Sequence, residues 1–186
     1  LSTSSNTEQI YYTLDGSKPI SESGLYSDPI IIESTTVLKT RSIENGKLPG
    51  KISSSTYFIS ENSHIPTISL MAEPETLWDE EIGIYENEYK QREIPITLFY
   101  FPKEDEFGFT VNAGARLGGE NIWTKPQKPF TIYTRNRFGD DFINYRLFDN
   151  KQISRFSRIV LRNGGDDWEE TPVSYTHLTL PTIYSV

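Results

Sequence analysis

Three short stretches hold residue types that could do chemistry, two of them suited to a phosphate. Arg116-Leu117-Gly118-Gly119 closes an apolar run on two glycines, whose backbone N–H groups can approach an anion closely because no side chain intervenes. Lys128, in PQKPF, opens the next apolar run and can project towards the same place as the glycine turn. Leu161-Arg162-Asn163-Gly164-Gly165-Asp166-Asp167-Trp168 takes an apolar strand into a polar loop with two carboxylates. Those carboxylates suit either a metal ion or the capping of a following helix. Each stretch also has a plain structural use, as a strand turn, a solvated strand lysine and a capping loop, and alone none is decisive.

Composition narrows the chemistry. The chain has 186 residues and no cysteine, which removes thiol nucleophiles, disulfide frameworks and cysteine-rich zinc sites. Of the two histidines, His64 stands in a linker-like SENSHIPT. His177 stands in VSYTHLTLPTIYSV, a tail without a charged residue. That tail, residues 173–186, resembles translated sequencing-adapter read-through and is expected to be non-native. Setting it aside leaves one histidine, too few for a histidine triad or a multi-histidine metal site.

The net charge of −8 is unevenly spread. Residues 1–115 carry 8 basic and 18 acidic groups, whereas residues 116–162 carry 10 basic and 4 acidic. A basic island in an acidic chain marks either an anion site or a set of outward-facing strand arginines. The overall acidity argues against nucleic acid as the partner. No apolar run is long enough to span a bilayer.

The elements that must position these residues are mostly strands. Aromatic content is 13%, and 11 Pro and 12 Gly punctuate short runs rich in Ile, Thr, Tyr and Phe. The expected fold class is mainly β: an Ig-like β-sandwich at residues 1–60, a linker at 61–66, and a β-rich α+β part at 67–172. In the first module IYYT, DPIIIES, TVLKTRSI and ISSSTYFI read as strands, with Asp15-Gly16 as a tight turn. In the second, TISLMA, IPITLFYF, FTVNAGARLGG, KPFTIYTR and FSRIVLRN read as strands. PETLWDEEIGIY suggests a short helix and NYRLF a helical turn. The result is an antiparallel sheet that awaits a covering layer.

Two family resemblances attach to these motifs. Tyr12-Thr13-Leu14-Asp15-Gly16-Ser17-Lys18-Pro19, with Leu25-Tyr26, Pro29-Ile30, Thr36-Val37-Leu38-Lys39 and Thr56-Tyr57-Phe58, resembles the chitobiase C-terminal or Fn3-associated domain. That likeness implies an Ig-like spacer or binding module of a bacterial surface protein, with its amino-terminal edge lying before Leu1. Packing is the expected use of its tyrosines, and a polysaccharide platform of Tyr11, Tyr12 and Tyr26 is the alternative.

ARLGG, PQKPFTIYTRNRFG, INYRLF and FSRIVLRNGGDDW resemble, in order and spacing, the amino-terminal part of the CotH family. These are bacterial spore-coat and surface proteins with an atypical protein-kinase fold. The resemblance implies transfer of phosphate from ATP, with Mg²⁺, to serine or threonine of surface or spore-coat proteins outside the cell. It makes Lys128 the nucleotide lysine and Gly118-Gly119 the turn beside it. Arg162, Asn163, Gly164, Asp167 and Trp168 become the family signature. The family's catalytic and metal-binding aspartates lie further downstream, so residues 1–172 are expected to be inactive alone. Ile122-Trp123-Thr124 stands where the family commonly has an arginine. Two other classes compete: a non-catalytic surface scaffold or adhesin, and a carbohydrate-binding accessory region of a surface glycoside hydrolase.

Overall fold

The structure is a computed structural model and describes residues 8–60, 65–103, 106–118 and 128–162. The chain divides into two compact units, one within Leu1–Asn62 and the other within Ser63–Ser185. Both are built mainly from antiparallel strands, as the sequence predicts.

The described part of the first unit holds one four-stranded sheet in the order β2-β1-β3-β4. Its strands are β1 (Gln9–Thr13), β2 (Gly24–Leu25), β3 (Thr36–Ile43) and β4 (Ser53–Tyr57). The Asp15-Gly16 turn explains the YTLDGS motif. Gly16 adopts a φ of +77°, a left-handed conformation that favours glycine. The Asp15 carboxylate accepts from the Ser17 amide at 3.0 Å and the Ser17 hydroxyl at 2.6 Å. The Thr13 hydroxyl donates to the Ser17 carbonyl at 2.6 Å, tying the strand end to the turn. Pro19 then leaves the sheet and is fully buried. DPIIIES forms no strand: Pro29 lacks the N–H a ladder needs, and Ile31 is 81% exposed.

The second unit centres on a five-stranded antiparallel sheet in the order β11-β8-β7-β6-β5. The strands are β5 (Thr67–Met71), β6 (Ile94–Phe101), β7 (Phe109–Leu117), β8 (Phe130–Tyr133) and β11 (Arg158–Leu161). Register puts Leu117, Phe130 and Leu161 in one row, and Ala115, Ile132 and Ile159 in the next. Because side chains alternate across a strand, these rows form one apolar face. Ile96, Leu98, Val111 and Ala113 continue it. Leu98 and Ile132 are fully buried at its centre.

The covering layer that the sheet awaits is present, and it is largely irregular. From one side come α1 (Pro74–Trp78) and the loop after it, placing Leu77, Ile84 and Tyr85 on the sheet. From the other comes the short hairpin β9 (Ile143–Asn144) and β10 (Arg155–Phe156), contributing Ile143, Tyr145, Leu147 and Phe156. NYRLF is not a helical turn. Asn144 pairs with Arg155 in the hairpin, and the Arg146 guanidinium holds the loop by donating to the Asp149 and Lys151 carbonyls.

Candidate functional site

β7 ends at Leu117, and Gly118 follows close against the Thr131 side chain. A Cβ there would lie 2.8 Å from the Thr131 hydroxyl oxygen. The Gly118 amide donates to the Pro129 carbonyl at 3.1 Å, so the ladder already uses that N–H. Residues 119–127 lie outside the described residues, and the chain returns at Lys128. The residue before a proline is steered to extended backbone, which leads Lys128 straight into β8.

Lys128 does not point into water. It is 9% exposed, and its Nζ lies 2.6 Å from Oε1 of Glu88, itself 15% exposed. Glu88 begins a single 3-10 turn, Glu88–Lys90, and a local network fixes its position. Asn87 is buried and donates from Nδ2 to the Glu80 and Gly83 carbonyls at 2.9 and 3.0 Å. Gly83 packs so closely that a Cβ would lie 2.5 Å from the Asp79 backbone. The Asp79 carboxylate caps the same loop, accepting from the Ile82 and Glu81 amides at 2.9 and 2.8 Å. Those two bonds hold its carboxyl below the ordinary value of 3.8. Glu75, Asp79, Glu80 and Glu81 all stay exposed.

An aromatic stack anchors the loop to the sheet. Tyr85 stacks on Trp78 at 4.2 Å between centroids and meets Phe130 edge-on at 6.3 Å. Burial, and secondarily the Glu88 carboxylate, push the Tyr85 hydroxyl above its ordinary 10.0. The hydroxyl is therefore neutral at physiological pH.

Three adjacent strands thus finish at one end of the sheet with Gly118, Lys128 and Arg162. Leu117 and Leu161 both pair with Phe130, and Gly118 and Arg162 are the residues immediately beyond them. Gly119, Asn163, Gly164, Asp167 and Trp168 lie outside the described residues, as does His64. Glu88 is the member that sequence reading missed. Nothing in GIYENEYK singles out one acid among several, and Lys128 is 40 positions away. The donor set of Lys128 and Arg162 suits phosphate oxygens. It does not suit a divalent cation: among the described residues no three carboxylate or histidine groups gather to hold one.

The tyrosines of the first unit divide between two faces. Tyr11 pairs with Leu25 and Tyr12 with Gly24, so consecutive alternation sends them to opposite sides. The Tyr12 ring fills the space over Gly24, where a Cβ would be 3.0 Å from it. A single platform of Tyr11, Tyr12 and Tyr26 is therefore not formed, and Tyr12 packs.

Residues 1–57 match the family described as Fn3 associated, and the first unit is similar to that class of domain. No curated protein matches the chain, and no solved structure does. These comparisons provide no evidence for a CotH or kinase relationship in the second unit. Among the described residues no helix is long and apolar enough to cross a membrane.

Proposed function

We propose that the chain is part of an exported bacterial surface protein in which an Fn3-associated-like unit precedes a CotH-like unit. In this reading the second unit serves transfer of phosphate from Mg²⁺-ATP to serine or threonine of surface or spore-coat proteins. The observation that carries it is the largely buried Lys128–Glu88 ion pair, 2.6 Å long, next to the Gly118–Pro129 backbone hydrogen bond at the end of β7. Phosphoryl transfer relies on positioned cations that neutralise phosphate charge, and a carboxylate that fixes a lysine provides such positioning. The order of ARLGG, PQKPF and LRNGGDDW supports the same reading. Asp166 and Asp167 receive no catalytic role, and in this reading Mg²⁺ belongs to the family's downstream aspartates, which residues 172–186 do not contain.

The experiment uses the protein extended through those downstream residues, with Mg²⁺-ATP and a serine-rich protein substrate. Transfer is expected, with at least a hundredfold loss on Lys128→Ala. Absence of transfer, or transfer that ignores Lys128, defeats the kinase reading.

A second reading has one specific observation behind it, the family match over residues 1–57. It makes the chain a non-catalytic scaffold or accessory region of a surface protein or glycoside hydrolase. Saturable binding of the chain to a surface polysaccharide, without any ATP turnover by the extended protein, would favour it.

A further inference from the structure

The basic island converges on a second place, at the far end of β8 from Lys128. Tyr133 is five residues along from Lys128, roughly 16 Å away at a strand rise of about 3.3 Å per residue. There, an open groove of about 590 Å³ is lined by Tyr133, Arg135, Arg155, Phe156, Ser157 and Arg158, among others, and among the described residues by no acidic one. Its floor is firm. The buried Thr134 donates its amide to the Ser157 carbonyl at 3.0 Å, and its hydroxyl lies 2.7 Å from the Asp141 carbonyl.

The arginines here differ in how far they are committed. Arg135 reaches Glu93 at 3.1 Å and also lies over the Tyr133 ring, 4.8 Å from its centroid. Arg116 approaches the same ring at 5.2 Å. Glu93 is shared further, since Arg137 also pairs with it. Arg155 stacks 3.5 Å from the Phe142 centroid. A stacked guanidinium keeps its N–H donors in its own plane, available to another partner. The exposed Arg158 side chain makes no ion pair or hydrogen bond among the described residues. Among the described residues, two guanidiniums in the groove therefore lack a counter-charge, and Glu93 already serves two other arginines.

We propose that this groove binds a phosphate monoester. Arg155 and Arg158 hold the phosphate through their planar donor forks, and two uncommitted cations match its two negative charges. Tyr133 and Phe156 contact the organic group that the ester carries. The site stands apart from the Lys128 end of the sheet and does not depend on the kinase reading.

The test titrates the 186-residue chain with O-phospho-L-serine and with glucose 6-phosphate, arms that separate a protein-borne from a sugar-borne ester. Binding is followed by calorimetry and by amide chemical shifts, with inorganic phosphate alongside. Saturable binding of either ester is expected, with shifts centred on Tyr133, Phe156 and Arg158. Arg155→Ala and Arg158→Ala should each weaken it at least tenfold, and Arg158→Lys less. Lys103→Ala, which removes an exposed charge elsewhere, should leave it unchanged. Because Arg158 is exposed, its variants should melt like the parent chain. The proposal is overturned by absence of saturation, by equal losses in Lys103→Ala, or by shifts centred on Gly118 and Lys128. Inorganic phosphate binding as tightly as both esters would overturn it too.

Discussion

Lys128 Nζ lies 2.6 Å from Glu88 Oε1, joining the first residue of the β8 approach to a 3-10 turn 40 positions earlier. Both side chains are largely withdrawn from water. Each charge therefore relies on the other more than exposed ion pairs do. The contact also pins the loop after α1 against the end of the sheet.

Removing one partner should therefore be costly. Lys128→Met leaves a mostly buried carboxylate uncompensated and is expected to destabilise the second unit by about 3 kcal/mol, at the low end for broken buried pairs. Glu88→Gln should cost less, because the amide can still accept a hydrogen bond. The double variant Lys128→Met with Glu88→Leu should recover most of the loss. Urea denaturation of the parent, Lys128→Met, Glu88→Leu and their double variant gives the coupling energy, and simple additivity would show that the pair carries none.

The sheet's two faces should respond differently to truncation. Ile132 has no exposed surface, so Ile132→Ala is expected to cost about 2–5 kcal/mol. Val160 lies on the adjacent strand but on the opposite face and is 54% exposed. Val160→Ala should change stability by less than about 0.5 kcal/mol. Equal costs would mean that the register places the wrong face inward.

Gly114 is occupied from outside by a ring. A Cβ at that position would lie 2.2 Å from the Phe138 ring. Gly114→Ala should destabilise by about 1–3 kcal/mol through overpacking. Adding Phe138→Ala removes the clash, so the alanine at 114 should cost much less in that background. Thermal melts of the two single variants and the double variant test this.

The Asp15 turn predicts an acid response of the first unit. Bonds from the Ser17 hydroxyl and amide hold the Asp15 carboxyl below 3.8. A carboxyl with a depressed folded value stabilises the fold above its unfolded value, and that contribution is lost as pH falls through the folded one. The contribution should be present above pH 3.8 and fade below it. Asp15 is exposed, so solvent screening keeps the effect under about 1 kcal/mol. Asp15→Asn should flatten the stability profile in that acid range, as measured by urea denaturation across pH.

Tyr85 makes the complementary alkaline prediction. Its hydroxyl is raised above 10.0 by burial first and by Glu88 second. A raised folded value gives stability that is complete below pH 10.0 and declines as pH rises towards the folded value. Ultraviolet difference titration should show Tyr85 and Tyr100, both raised by burial first, ionising later than the exposed tyrosines, with Tyr85 as a distinct step. In Glu88→Gln that step should move down, towards the ordinary range.

Much of the second unit's sheet is legible in the chain. Phe130 and Ile132 alternate with Thr131 and Tyr133, and the strands predicted around them are observed. The Asp15-Gly16 turn is equally local, because its bonds join residues within four positions of one another. DPIIIES misled because apolar composition imitates a strand even where Pro29 removes a ladder donor. The covering layer stayed hidden for the opposite reason. Ile84 and Leu147 sit in irregular backbone, and Ile143 and Phe156 in two-residue strands too short to show a periodic pattern.

The sequence by itself determined the β-rich class, the turn chemistry, the absence of thiol catalysis and the position of the basic island. Only the tertiary structure decided what the charged residues do. It paired Lys128 with Glu88, committed the Gly118 amide to Pro129, and sent Tyr11 and Tyr12 to opposite faces. It also gathered Arg155 and Arg158 around one groove. Periodicity and turn residues act over a few positions and are written locally. Ion pairs and grooves depend on which distant segments the sheet brings together, and register and packing settle that.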